Sequence, residues 1–239
     1  MRSVGDGLKA GNANWTFGEG TAAQFDDHVA KSVPFYLEGH ALICALSDFF
    51  VKSGSTVYEI GSSTGALTCK LAAHNAAKKA TRFVGLDVEA EMVAEADKRR
   101  TALGLANVEF VADDALIHPF EPADLIVAYY TVQFVRPSHR QQLFDLVYRS
   151  LHWGGAFIMF EKVRAPDARF QDITTTLYAD YKLERGYSPD EIVSKTRSLK
   201  GVLEPFSTQG NLDLLARAGF VDTTTVMKYI CFEGFLAIK

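Results

Sequence analysis

Cysteine is scarce. Cys44, Cys69 and Cys231 are the only three, odd in number, far apart and each set in an apolar run. They form neither a disulfide frame nor a zinc set, and read as buried thiols of a reducing compartment. Basic charge is not in excess: 25 Lys and Arg stand against 29 Asp and Glu, a net −4, so the footprint of a nucleic-acid binder is missing. No apolar run reaches membrane-spanning length and no signal-peptide pattern stands ahead of the first ordered segment. The expected compartment is therefore the cytoplasm. There is no Gly-x-Ser-x-Gly elbow, no Walker loop and no metal-ligand spacing, which leaves nucleophilic hydrolysis, phosphoryl transfer and metal catalysis without support. His28, His40, His74, His118, His139 and His152 are scattered, and none is singled out as a general base.

What is present is a glycine turn around which the rest is ordered. Thr56-Val57-Tyr58-Glu59-Ile60 is a short β-like run; Gly61-Ser62-Ser63-Thr64-Gly65 follows; Ala66-Leu67-Thr68-Cys69-Lys70-Leu71 then has helical apolar spacing. Strand, glycine turn and helix in that order open a nucleotide site of the open α/β kind. Gly61 allows a sharp backbone turn and Gly65 a close approach of the helix. The helix start offers free N–H groups to a polar ligand. A dinucleotide fingerprint carries a further, middle glycine so that the chain can approach a pyrophosphate. Ser63 stands there instead, which favours a ligand without phosphates.

The alternation repeats. Residues 82–87, 108–113, 124–129 and 156–161 are near-continuously apolar strands with helices between them, the pattern of a parallel sheet covered on both faces. Residues 163–207 are polar and predict a helical insertion over the ligand edge. A last helix over 212–218 precedes strands at 221–229 and 232–238, a hairpin that leaves the final strand antiparallel. Ahead of the sheet, residues 1–14 are rich in Gly, Asn and Ser and predict a mobile start. A helical segment over 15–52 follows, and residues 15–239 form one domain.

Several strand ends carry acids. Asp87 can accept both hydroxyls of a ribose, or be a solvent-facing turn residue. Asp113 and Asp114 can accept from an adenine amino group, or cap the following turn. With Glu59 they point into one crevice. Tyr129 and Tyr130 end the fourth strand, as site residues or as structural tyrosines.

Acidic-x-Gly-x-x-x-Gly resembles the first motif of class I S-adenosylmethionine-dependent methyltransferases, a Rossmann-like α/β fold whose parallel sheet ends in an antiparallel strand. Beyond that generic likeness, residues 15–239 resemble the carboxy-S-adenosylmethionine synthases. The resemblance is carried by Trp15-Thr16-Phe17 through Ser32-Val33-Pro34-Phe35-Tyr36, by Thr131-Val132-Gln133-Phe134, by Gly154-Gly155 through Glu161-Lys162, and by Gly186-Tyr187-Ser188 with Glu191-Ile192. Enzymes of that family use prephenate to convert S-adenosylmethionine to its carboxylated sulfonium. The resemblance implies that Tyr36 contacts the cofactor, that Gly61, Ser62 and Ser63 (with Gly65 closing the turn) face its amino-acid end, and that Asp87 and Val88 hold the ribose region. It assigns the adenine to Asp113 and Asp114, and it implies a homodimer. Two positions depart: the family's asparagine falls on Tyr129, and the arginine that reads the extra carboxylate falls on Thr196. Arg197 is one place along, about 100° around a helix.

Three functions follow. The first is transfer of a methyl group from S-adenosylmethionine to a small acceptor roofed by 163–207. The second is carboxy-S-adenosylmethionine synthesis with Arg197 as the substrate carboxylate's partner. The third is a silent cofactor-binding partner subunit.

Overall fold

A computed structural model of the protein describes residues 25–239; the expectations for 1–14 and for Trp15-Thr16-Phe17 lie outside the described residues. Helices α1 (Phe25–Ser32) and α2 (Tyr36–Ser47) lead into β1 (Thr56–Ile60), α3 (Ala66–His74), β2 (Arg82–Asp87), α4 (Ala90–Ala102) and β3 (Val108–Ala112). Then come β4 (Ala123–Tyr129), α5 (Arg140–Ser150), β5 (Leu151–Lys162), α6 (Ala168–Glu184), α7 (Pro189–Ser198), α8 (Thr208–Ala218), β6 (Asp222–Tyr229) and β7 (Phe232–Ile238).

The strands form one sheet in the order β3-β2-β1-β4-β5-β7-β6. β1 to β5 are parallel, and β7 runs antiparallel to both β5 and β6. This is the Rossmann-like class I methyltransferase plan expected from the sequence. Period-2 alternation sends successive side chains to opposite faces. Leu125, Val127 and Tyr129 of β4 join the core beneath α2 and α3, with Ile43 and Leu67. Ile126 and Ala128 join the other, with Leu143, Phe144 and Leu214 of α5 and α8. Both faces are covered, so the strands read as continuous apolar runs.

β1 lies between β2 and β4, so the chain leaves it in both directions and a crevice opens at its carboxyl end, the usual ligand position in such sheets. The insertion is helical as expected. α6 starts at Asp167, whose side chain accepts from Phe170 N–H, and α7 at a Ser188/Glu191 capping box with Pro189 in its first turn. Two boundaries differ from the sequence reading by more than one residue. β5 begins at Leu151, ahead of Gly154-Gly155, because those glycines pair with the end of β7: Gly154 N–H donates to Lys239 O at 2.8 Å and Lys239 N–H to Gly155 O at 3.0 Å. α8 begins at Thr208, four residues earlier than its apolar spacing suggested, because the Ser207 side chain caps it by accepting from Gly210 N–H.

Candidate functional site

A cavity of about 830 Å³ lies over the carboxyl ends of β1 to β5, with α1, α6 and α7 on its other walls. The glycine turn is fastened at its floor. The N–H groups of Gly61 and Ser62 both donate to Leu86 O at 2.8 Å, tying the end of β1 to the end of β2. Gly61 has φ +72°, and a β-carbon there would run into the Thr131 side chain. The position therefore needs glycine both for its backbone and for the close approach. Ser63 is left-handed at φ +46° and its N–H donates to Asp87 Oδ2 at 2.8 Å. Gly65 is not a cavity-wall residue; a β-carbon on it would collide with Phe110 and Ala96. Its part is the close packing of α3.

Asp87 is held at both oxygens, Oδ1 accepting from Glu89 N–H at 3.0 Å. Burial lifts its carboxyl above the ordinary range, against the pull of those backbone bonds. Beside it Val88 is exposed. Asp113 Oδ2 pairs with His118 Nδ1 at 2.8 Å and Oδ1 accepts from Asp114 N–H at 2.9 Å. The His118 bond holds the Asp113 carboxyl below its usual range. Asp114 Oδ1 accepts from Leu116 N–H at 2.9 Å, the turn-capping arrangement. All four residues line the cavity, together with Glu59. Glu59 is buried and accepts from Thr68 Oγ1. Burial pushes its carboxyl up to about 8, with the nearby Asp87 charge adding to the effect.

Tyr36, Tyr129 and Tyr130 form an aromatic wall. Tyr36 packs on Tyr129 at 5.0 Å between centroids and on Tyr130 at 6.4 Å. The Tyr129 hydroxyl donates to Tyr36 O at 2.6 Å and presses against Gly39, so it is committed to α2. Tyr130 is left-handed at φ +59°. Its hydroxyl and that of Ser62, two buried groups among the cavity-lining residues, have no hydrogen-bond partner among the described residues. Buried hydroxyls are seldom left so, and a polar ligand in this cavity would complete them. Burial raises the tyrosine phenols, Tyr36, Tyr129 and Tyr130 alike, which keeps them neutral.

The Thr131-Val132-Gln133-Phe134 piece is a short 3-10 turn that locks β4 to β5. Gln133 Nε2 donates to Tyr130 O at 3.0 Å, and its Oε1 accepts from Lys162 N–H at 3.2 Å. Val132 N–H donates to the buried Glu161 Oε1 at 2.9 Å.

Charge divides the walls. Acids come from the tips of β1 to β3, and cations from β5 and the helical roof (Lys162, Arg164, Lys182, Lys195 and Lys200) and, as Arg136, from the loop after β4. The sequence reading did not single these out. Thr196 also lines the cavity, its hydroxyl donating to Ile192 O at 2.7 Å within the helix, while Arg197 is not among the lining residues. The roof is joined to α1, where Tyr178 Oη donates to Ser32 O at 2.9 Å and Ser32 Oγ meets Tyr187 Oη at 2.8 Å. α1 in turn reaches the glycine turn, with Thr64 Oγ1 donating to Asp26 Oδ1 at 2.7 Å. Among the described residues no cluster of His, Cys, Asp and Glu could hold a metal ion, and no helix is long and apolar enough to cross a membrane.

A family profile described as a methyltransferase domain matches residues 57–155. The carboxy-S-adenosyl-L-methionine synthase of Staphylococcus epidermidis is 36% identical over 229 residues, which is 94% of this chain and 97% of that protein. The protein of the same name from Nautilia profundicola is 35% identical over 223 residues, 93% of this chain and 94% of that protein. Among solved structures, a SAM-dependent methyltransferase from Aquifex aeolicus superposes with a TM-score of 0.60 at 18% identity, covering 91% of this chain and 97% of that one. Human N-acetylserotonin methyltransferase, in complex with SAM, gives 0.60 at 19% identity over 93% of this chain and 56% of its own.

Proposed function

The chain belongs to the carboxy-S-adenosyl-L-methionine synthase family, and from that premise we propose that it moves the methyl group of S-adenosylmethionine to a small acceptor held beneath α6 and α7. The chain's place among S-adenosylmethionine-dependent transferases rests on the relatives and the fold. The choice of methyl rather than carboxymethyl chemistry rests on one observation: Thr196, at the position of the family's arginine, lines the cavity, and Arg197 does not. A neutral threonine cannot pair with a carboxylate, and a bidentate arginine contact is not reproduced by a neighbour of another type.

In this reading Asp87 accepts from the ribose hydroxyls and Val88 packs beside the sugar. The turn at Gly61, Ser62 and Ser63 receives the amino-acid end, the unpartnered Ser62 hydroxyl supporting that fit. Asp113 and Asp114 serve the adenine. Tyr36 closes the wall, and Tyr129 acts through its bond to the Tyr36 carbonyl. Gly65 and Arg197, both off the cavity wall, drop out as contacts. Bound S-adenosylmethionine supplies an electrophilic methyl group. The chain's own contribution is to align the acceptor with it, beneath a roof that excludes water.

A second reading, carboxy-S-adenosylmethionine synthesis, is favoured by Lys195, which lines the cavity one position before Thr196. Competition binding of the two cofactors separates them. The wild type should show no preference for the carboxylated form, and Thr196→Arg should create one of about tenfold or more, the worth of a charge-assisted pair. A clear wild-type preference for the carboxylated cofactor overturns the methyl reading. Cofactor bound without turnover of any acceptor would leave a silent partner subunit.

Two further parts complete the proposal. The helical segment, the sheet and the insertion act as one domain, supported by the bonds from Ser32 to Tyr178 and Tyr187. The working molecule is a homodimer, supported by the exposed Phe35, Leu37 and Tyr229 near the start of α2 and the end of β6. The three unpaired thiols support the cytoplasm as its compartment, which subcellular fractionation decides.

A further inference from the structure

Lys182 lies on α6 four residues after Tyr178, and Lys162 ends β5 beneath it. Their ammonium nitrogens sit over the same Tyr178 ring, at 4.2 Å and 4.5 Å from its centroid. The ring is fixed by its hydroxyl bond to Ser32 O and by edge packing on Phe232 at 5.2 Å. Lys182 is only 7% exposed, and both lysines line the cavity.

Neither ammonium has a hydrogen-bonding or ion-pairing partner among the described residues. The neighbours that act on them electrostatically are Cys231, Arg164 and Lys200 for Lys162, and Lys162 and Cys231 for Lys182. No carboxylate is among them. Glu161, next in sequence to Lys162, is already used by Val132 N–H, and its burial holds its proton up to about 8. A buried and a partly buried cation therefore share one aromatic ring, with no counter-charge among the described residues. Buried charges are ordinarily paired, and a cation–π contact offsets only part of the desolvation. An oxyanion entering between the roof and the end of β5 would supply what is missing.

We propose that Lys162 and Lys182, seated over Tyr178, anchor a carboxylate or phosphate group carried by the acceptor. The inference rests on the methyl-transfer reading above and names the substrate class for it. It sets the anionic group at the β5 and α6 side, away from Asp87, Asp113 and Asp114, which would repel it. The rest of the acceptor then projects along the aromatic wall of Tyr36 and Tyr130, toward the glycine turn.

The test uses the full chain loaded with S-adenosylhomocysteine and titrated calorimetrically with phenylacetate, phenyl phosphate and the neutral phenylacetamide. At least one of the two anions should bind about tenfold or more tightly than the amide, and which one binds better identifies the oxyanion. Lys162→Met and Lys182→Met should each erase that preference without changing affinity for S-adenosylhomocysteine. Lys182→Arg, which keeps the charge, should retain it and serves where Lys182→Met fails to fold. Equal binding of acid and amide, no saturable binding of either anion, or a preference that survives Lys162→Met overturns the proposal. Failure to bind S-adenosylhomocysteine at all would instead condemn the cofactor reading on which it stands.

Discussion

Asp87→Ala separates architecture from binding at the centre of the site. The carboxylate accepts from Ser63 N–H at 2.8 Å and from Glu89 N–H at 3.0 Å, and the first of these holds a non-glycine residue in the left-handed region. Hydrogen bonds to a charged group contribute roughly 1.5–3 kcal/mol each. Asp87 is only partly buried, so the lower half of that range applies, and loss of the two bonds should cost about 3–4.5 kcal/mol. In a chain of this size that lowers the melting temperature by about 6–18 °C. If the ribose hydroxyls donate to the same carboxylate, affinity for S-adenosylhomocysteine should fall a further hundredfold or so, from two more such bonds. Scanning fluorimetry reads the first effect, and titration calorimetry of the folded variant the second. A variant that melts earlier but binds S-adenosylhomocysteine within about threefold of wild type (well inside the expected loss) would refute the placement of the ribose at Asp87.

Stability should fall as pH rises from about 6.5 to 8. Burial, the dominant cause, holds Glu59 and Glu161 up to about 8, so across that window the folded chain keeps two protons that the unfolded chain has released, a slope of about 1.4 kcal/mol per pH unit for each. Below that window His28 and His40, pushed down to about 3 chiefly by burial, contribute the opposite slope. Lys182, lowered to about 8 by burial, makes stability rise again at higher pH. Glu59→Gln should remove about half of the fall, and an unchanged slope in melting curves would contradict the assignment. For assembly, light scattering should give twice 26.3 kDa; a mass at the single-chain value in dilute solution sinks the dimer.

The plan of the sheet was legible because each strand announces itself twice, by an apolar run and by what ends it. Gly61 was legible for a physical reason: a left-handed turn with Thr131 against it leaves no room for a β-carbon. The acids at Glu59, Asp87, Asp113 and Asp114 were legible by position, since strand tips in a parallel sheet converge. What they do once there was not. The His118 bond to Asp113 depends on the turn between them, and the commitment of the Tyr129 hydroxyl to α2 joins residues 93 positions apart. Lys162 and Lys182 were hidden for the opposite reason. A lysine in a polar insertion, as Lys182 is, or at the end of a strand, as Lys162 is, looks like solvated surface, and only the fold of α6 over β5 turns the two inward. Their local signal was Tyr178 and Lys182 at i, i+4 on one helix face.

The antiparallel hairpin has a consequence for how the molecule comes into being. Phe25 and Val29 of α1 and Cys231 and Phe232 beside β7 all stand in the same cavity wall, so almost the whole described sequence must be present before that wall closes. Val163 N–H donates to Cys231 O at 2.7 Å, which sets the returning hairpin against the end of β5. A ribosome delivering the chain in order exposes β1 through β5 with an open-sided crevice, and contacts of such sequence separation form late and slowly. The wall formed by the returning hairpin is thus the last part of the described cavity to close.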